Sequence, residues 1–132
     1  MPSENESLVR AAYEAYGRGD MSQLLELIDP DLEWTYLDPS VENPEPQTCH
    51  GRSELEQALR GQAERGQVSE LQEITAHGDK VMLVLRTPGI ERRRARPADD
   101  KNYLVLTIGQ GHIVAMRACR DREEARSVAG IG

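Results

Sequence analysis

The sequence predicts an α+β protein: a curved antiparallel or mixed sheet wrapped around helices into a conical barrel. Three observations predict it. Apolar residues recur at helical spacing before about residue 65. From Val68 to Cys119 the pattern changes to strands joined by tight turns. The resulting order is helix, helix, strand, helix, then four strands linked by hairpins. A chain of 132 residues has the size of one domain.

Each element has a local reason. Ser3 and Glu6 have the spacing of a capping box, and Leu8, Ala12, Ala15 and Tyr16 continue at helical period, with Val9 and Tyr13 flanking the stripe. Gly17 and Gly19 stop that helix. Asp20 with Gln23 caps a short second helix carrying Leu24, Leu25, Leu27 and Ile28, and Asp29-Pro30 ends it. "LEWTYLDPS", residues 32–40, reads as the first strand. "PSVENPEPQTCHG" reads as an irregular loop because of its prolines. Ser53 and Glu56 open a third helix through Leu55, Ala58, Leu59 and Ala63 to about Arg65.

The strand half follows the same logic. "VSELQEITA" alternates, and "HGDK" is a hairpin turn. "VMLVLRT" is apolar on both faces, "PGIERRRARPADD" reads as a loop, and "NYLVLTI" and "IVAMRAC" are strands joined by "GQGH". "DREEARSVAG" closes with a short helix and a glycine stop at Gly130.

Composition narrows the function classes. The net charge of -7 opposes bulk attraction to nucleic acid or to an anionic membrane. No apolar run approaches the roughly 20 residues of a membrane span. The polar, acidic N-terminus predicts no secretory signal and a cytoplasmic location. Cys49 and Cys119 are expected to be free thiols in that compartment. No histidine pair has zinc-ligand spacing, so neither a metal nor a cofactor is expected.

"AAYEAYGRGDMSQLLELIDPDLEW", "HGRSELEQAL" and "GQGHIVAMRACRDREEARSVAG" together resemble the SnoaL-like group of the nuclear transport factor 2-like superfamily. Its relatives include ketosteroid isomerase, limonene epoxide hydrolase and polyketide cyclases. The resemblance spans nearly the whole chain, read as one domain over residues 1–132. It implies a cystatin-like conical barrel with a pocket. It does not imply a reaction, because one scaffold carries many chemistries.

Carried over residue by residue, the isomerase set is not reproduced. The family's helix tyrosine falls on Ala12; Tyr13 is one position off and is expected to point elsewhere, and Tyr16 lies one turn along. The base position falls on Tyr36, or on Asp38 if the strand bulges. The second donor falls on Tyr103, where the isomerase has an acid. The hydrolase pattern of an Arg with an Asp two positions later is absent at Arg86 and Arg117.

A looser assignment remains. Asp38 is the candidate base and Tyr103 the candidate oxyanion donor. Tyr16, Trp34, Tyr36, His50 and Arg117 are the candidate ligand contacts. Each has a plain alternative. Asp38 before Pro39 suits a turn acceptor. Trp34 and Tyr36 suit core packing. His50 suits a loop. Arg117 either projects into the cavity or, as its strand pattern favours, faces outward. "ERRRAR", residues 91–96, sits between acidic residues and reads as a solvated loop.

The reading is therefore a pocket protein for a small, largely apolar molecule: an isomerase, cyclase or lyase, or a non-catalytic ligand-binding or regulatory module. Strands apolar on both faces need two covers. A second copy of the chain is the simplest second cover, so a homodimer through the sheet is expected.

Overall fold

The first helix, α1 (Glu4–Arg18), forms because Val9, Ala12 and Ala15 return to one face; all three are buried. Its end is set by Gly19, whose φ of +74° lies in the left-handed region. The second, α2 (Met21–Glu26), starts at Asp20, whose carboxylate accepts the Gln23 backbone N–H at 3.2 Å. The remaining helices are α3 (Gly51–Glu64) and α4 (Arg122–Ala129). This computed structural model describes residues 4–36, 47–64, 70–86 and 101–131.

The described strands form one curved sheet of six, in the order β2-β1-β6-β5-β4-β3. They are β1 (Ile28–Tyr36), β2 (Gln47–His50), β3 (Glu70–His77), β4 (Lys80–Arg86), β5 (Lys101–Gly109) and β6 (His112–Cys119). Neighbours are antiparallel except β1 and β6, which run parallel. The predicted hairpins are present: Gly78 turns between β3 and β4, and Gln110-Gly111, both at positive φ, turn between β5 and β6.

Three local expectations are corrected. Gln47–His50, expected inside a loop, is an edge strand paired with β1. A short edge strand needs little intrinsic propensity when a neighbour supplies its hydrogen bonds. Pro30 does not end a helix; it lies inside β1, where the register against β6 shifts between Ile28 and Glu33. The third helix begins at Gly51, two residues before the expected Ser53, and the His50 N–H donates to the Glu54 carboxylate there.

The sheet has two apolar faces, and each finds its cover within the chain. The inner face carries Ile28, Leu32, Val81, Leu83, Leu85, Leu106 and Ile113, which pack with Val9, Ala12, Ala15, Leu24 and Leu55 of α1, α2 and α3. The outer face carries Met82, Val84, Val105 and Cys119, which pack with Ala125 and Ala129 of α4. Two-sided apolarity is thus met by α4, and it does not by itself require a second chain. Asp121 caps α4 by accepting the Glu124 N–H at 2.8 Å, and Gly130 at φ +75° stops it as expected.

Candidate functional site

Strand alternation decides which side chains meet. Directly opposed residues on neighbouring strands share a face. Trp34 on β1 opposes Cys49 on β2 and Met116 on β6, and Met116 in turn opposes the buried Leu106. This row belongs to the inner layer, and Trp34 packs against the inner core together with Tyr13 and Tyr16 of α1, Leu59 of α3 and Met116. The intervening Thr35 belongs to the outer face, where its hydroxyl lies 3.3 Å from that of Thr48.

The inner layer therefore gathers most of the chain's aromatic residues. The Trp34 and Tyr36 rings are 5.4 Å apart, tilted at 45°. Tyr13 and Tyr16, three apart on α1, meet edge to face at 6.1 Å. The Tyr36 hydroxyl donates to the Gln47 side chain at 3.1 Å, which fastens its ring at the β1–β2 edge.

Two polar groups in this layer stand out. Nε1 of Trp34 is buried and has no hydrogen-bond partner among the described residues. Such orphan donors are rare in folded proteins and cost about 1–3 kcal/mol. Burial, reinforced by neighbouring Tyr16, pushes the Tyr13 phenol far above its ordinary range, so it is a neutral O–H donor at any physiological pH. Cys49, opposite Trp34, is half-buried; burial, with Glu54 nearby, raises its thiol too.

The remaining sequence-derived candidates scatter. Tyr103 opposes Val84 and Cys119 and packs in the outer layer, with the Arg122 guanidinium 5.8 Å from its ring centre. It does not share a layer with Trp34, so the two cannot address one inner ligand atom. The resemblance had placed it by position along the strand, and the β4–β5–β6 register sets it on the other face. Arg117 opposes Val105 and is exposed on that outer face, as its strand pattern favoured. His50 is exposed and opposes Glu33 rather than Trp34. Tyr16 is half-buried against the inner core. Asp38 and the arginine cluster at 91–96 lie outside the described residues.

Tyr13 is the residue that sequence reasoning missed. It was expected to point elsewhere, yet it packs on the inner core beside Tyr16. The i, i+3 spacing of the two tyrosines was the available signal. The "HGR" motif also gains a meaning. Gly51 has φ +84°, and a Cβ there would come 3.3 Å from the Pro30 carbonyl oxygen. Arg52 Nε donates to the Ile28 carbonyl at 2.6 Å. Together they pin the start of α3 to the start of β1. An open groove along α4, lined by Arg122, Arg126, Ser127 and Ile131, belongs to the far side of the fold.

A family profile described as a SnoaL-like domain matches residues 9–116. The chain belongs to this SnoaL-like family. Similar solved structures agree with it in fold. One is a nuclear transport factor 2-like protein of unknown function from Burkholderia pseudomallei, 23% identical, with a TM-score of 0.69 over 97% of this chain and 98% of that one. Another is a putative polyketide cyclase from Sinorhizobium meliloti, 19% identical, with a TM-score of 0.65 over 90% and 95%. A third is a putative ketosteroid isomerase from Kribbella flavida, 14% identical, with a TM-score of 0.58 over 87% and 76%. Among curated proteins none matches. At these identities the likeness of the SnoaL-like chain to the solved structures concerns the fold alone.

Proposed function

We propose that this SnoaL-like protein binds a small, largely apolar molecule on its inner layer and acts on it by cofactor-independent acid–base chemistry of isomerase, cyclase or lyase type. The observation that carries the binding half is the orphan Trp34 N–H in the layer shared with Tyr13 and Tyr16. A buried donor without an acceptor among the described residues supports a ligand acceptor on this layer. Acid–base turnover needs a base on the same layer. Asp38 takes that role in this reading, because strand alternation continued from Trp34 and Tyr36 would bring it to their face.

Trp34 is the sole tryptophan, so its fluorescence reports this layer alone. Titration with a panel of small cyclic ketones and phenols is expected to shift its emission in a saturable way. Asp38→Asn is expected to retain that binding and to lose turnover of any ligand that the native protein converts. Absence of a saturable response across the panel would defeat the proposal.

The second reading is a binding module without catalysis. It is favoured by the character of the polar groups on the inner layer, since Tyr13, Tyr16 and Cys49 are hydroxyls and a thiol. Under it, ligands bind as above and leave unchanged. A cytoplasmic homodimer belongs to either reading. Since α4 covers Met82, Val84, Val105 and Cys119, the contact would use the rest of the outer face, around Thr35, Thr48 and Arg117. Sedimentation equilibrium showing a single chain at every concentration would remove the dimer without touching the binding proposal.

A further inference from the structure

We infer that this chain pairs with a second copy of itself along the open edge of β3, in an antiparallel ladder centred on Thr75. The contact lies at the opposite border of the sheet from Thr35 and Thr48, and it rests on neither the small-molecule reading nor the outer-face dimer above.

Among the described strands, β2 and β3 form the two borders of the sheet. β2 is short, with four residues, whereas β3 has eight. An open edge strand is a template for another strand, and proteins blunt it with brevity, proline, lysine or a bulge. β3 has neither proline nor lysine, and its bulge, between Leu71 and Glu73, leaves residues 73–77 regular. Gly78 and Asp79 close the β3–β4 hairpin, which makes His77 and Lys80 a pair that exchanges both backbone hydrogen bonds. Alternation then turns the N–H and C=O of Thr75 toward β4 as well, and those of Ile74 and Ala76 toward the open edge. Neither Ile74 nor Ala76 hydrogen-bonds across that edge among the described residues.

Symmetry and side chains fix the register. Opposed residues share a face, so a two-fold ladder must centre on one residue. A centre at Glu73 or Ile74 draws the bulge into the ladder. A centre at Ala76 draws in the turn and sets Glu73 against the partner's Asp79, acid against acid. A centre at Thr75 avoids both. It sets Ile74 against the partner's Ala76, where the outward backbone groups exchange hydrogen bonds and the half-buried Ile74 gains apolar cover. On the outer face it sets Glu73 against the partner's His77. Both residue types are exposed there, and the His77 ring lies beside Gly130. A carboxylate has about four acceptor sites, so the two bonds from Arg122 leave Glu73 room for an imidazole N–H. Thr75 meets the partner's Thr75 on the axis as a non-hydrogen-bonded pair, with Cα atoms about 4.5 Å apart.

Sedimentation equilibrium and cross-linking test this. Proline at position 76 removes an N–H aimed at the open edge and leaves the ladder with β4 intact. Ala76→Pro is expected to keep the native circular dichroism and to sediment at half the mass of the native assembly. In a Cys49→Ser background, mild oxidation is expected to link Thr75→Cys into a covalent dimer, because the separation on the axis falls within the disulfide range of about 4.4–6.8 Å between Cα atoms. Gln72→Cys in the same background is expected to stay unlinked, since this register holds position 72 and its copy about 20 Å apart. The cysteine pair decides the matter even where Ala76→Pro does not fold. A native protein that is a single chain at every concentration, as for an edge that takes water or another protein's strand, would overturn the inference. So would a folded Ala76→Pro with the native mass, or equal cross-linking at 72 and 75. A native assembly with no link at 75 would sink this contact and leave the outer-face dimer and the small-molecule reading standing.

Discussion

Tyr13 and Tyr16 stand edge to face on α1, 6.1 Å between ring centres and 73° between planes, both packed on the inner core. The contact links a local fact, i, i+3 spacing, to the electrostatics of the layer. Burial is the main reason that the Tyr13 phenol resists ionisation, with Tyr16 adding to it.

Alkaline titration followed at 295 nm should therefore show a tyrosine that stays un-ionised until the fold opens. The folded phenol sits above the ordinary tyrosine value of about 10 that applies in the unfolded chain. The folded state then holds a proton that the unfolded state releases, so stability is fully retained below about pH 10 and falls as pH rises beyond it. Tyr13→Phe should remove that alkaline loss. A native spectrum in which every tyrosine ionises near pH 10 would contradict the placement of Tyr13.

Trp34 separates packing from polarity. Trp34→Phe keeps most of the apolar ring and removes the orphan N–H, so urea unfolding should give a stability change within about 1 kcal/mol of native in either direction. Trp34→Ala empties the space and should cost about 3–5 kcal/mol. Equal costs for the two variants would mean that the indole N–H has a partner in solution.

Gly51 is where the backbone admits no side chain cheaply. Its φ of +84° and the 3.3 Å approach to the Pro30 oxygen should make Gly51→Ala cost about 1–2 kcal/mol, read from the shift of the urea midpoint. Gly78→Ala, at φ +60° with open space around its Cβ position, should carry strain alone and cost less than Gly51→Ala.

On the outer face, Arg122 grips the Glu73 carboxylate with two hydrogen bonds of 3.2 and 2.7 Å while lying near Tyr103. The hydrogen bond from Arg122 is the main reason that Glu73 titrates below the usual carboxylate range. Its contribution is present above the ordinary glutamate pKa and is lost as pH falls through the lowered one. Both side chains are largely exposed, 41% and 51%, so solvent screening keeps the pair weak. A double-mutant cycle on Glu73→Gln and Arg122→Gln should return less than about 1 kcal/mol, shrinking in high salt.

The two free cysteines occupy opposite faces of the sheet, Cys49 half-buried and Cys119 buried under α4. Burial pushes the Cys119 thiol up to about 11, with Glu124 adding to it. Because the thiolate is the reactive form, Ellman's reagent at pH 8 should modify Cys49 first and reach Cys119 only on unfolding. A Cys119 that reacts as fast as Cys49 in native buffer would show that α4 does not stay docked.

The sequence alone determined what neighbouring residues decide among themselves. Asp20 and Gln23, Asp121 and Glu124, Gly78 and Gly130 each settle a helix or turn boundary through hydrogen bonds or φ values within a few residues, and the family followed from the order of such local motifs. Tertiary structure decided what depends on partners far along the chain. The ladder with β1 made a strand of Gln47–His50, whose polarity and place just after Pro44 and Pro46 spoke for a loop. The register of β5 against β4 and β6 put Tyr103 on the outer face, since the face a strand residue takes is fixed by pairing and a one-residue shift reverses it. Packing across the domain turned Tyr13 inward, and it brought α4 over the second apolar face of the sheet, a cover that residues 122–129 do not announce when read alone.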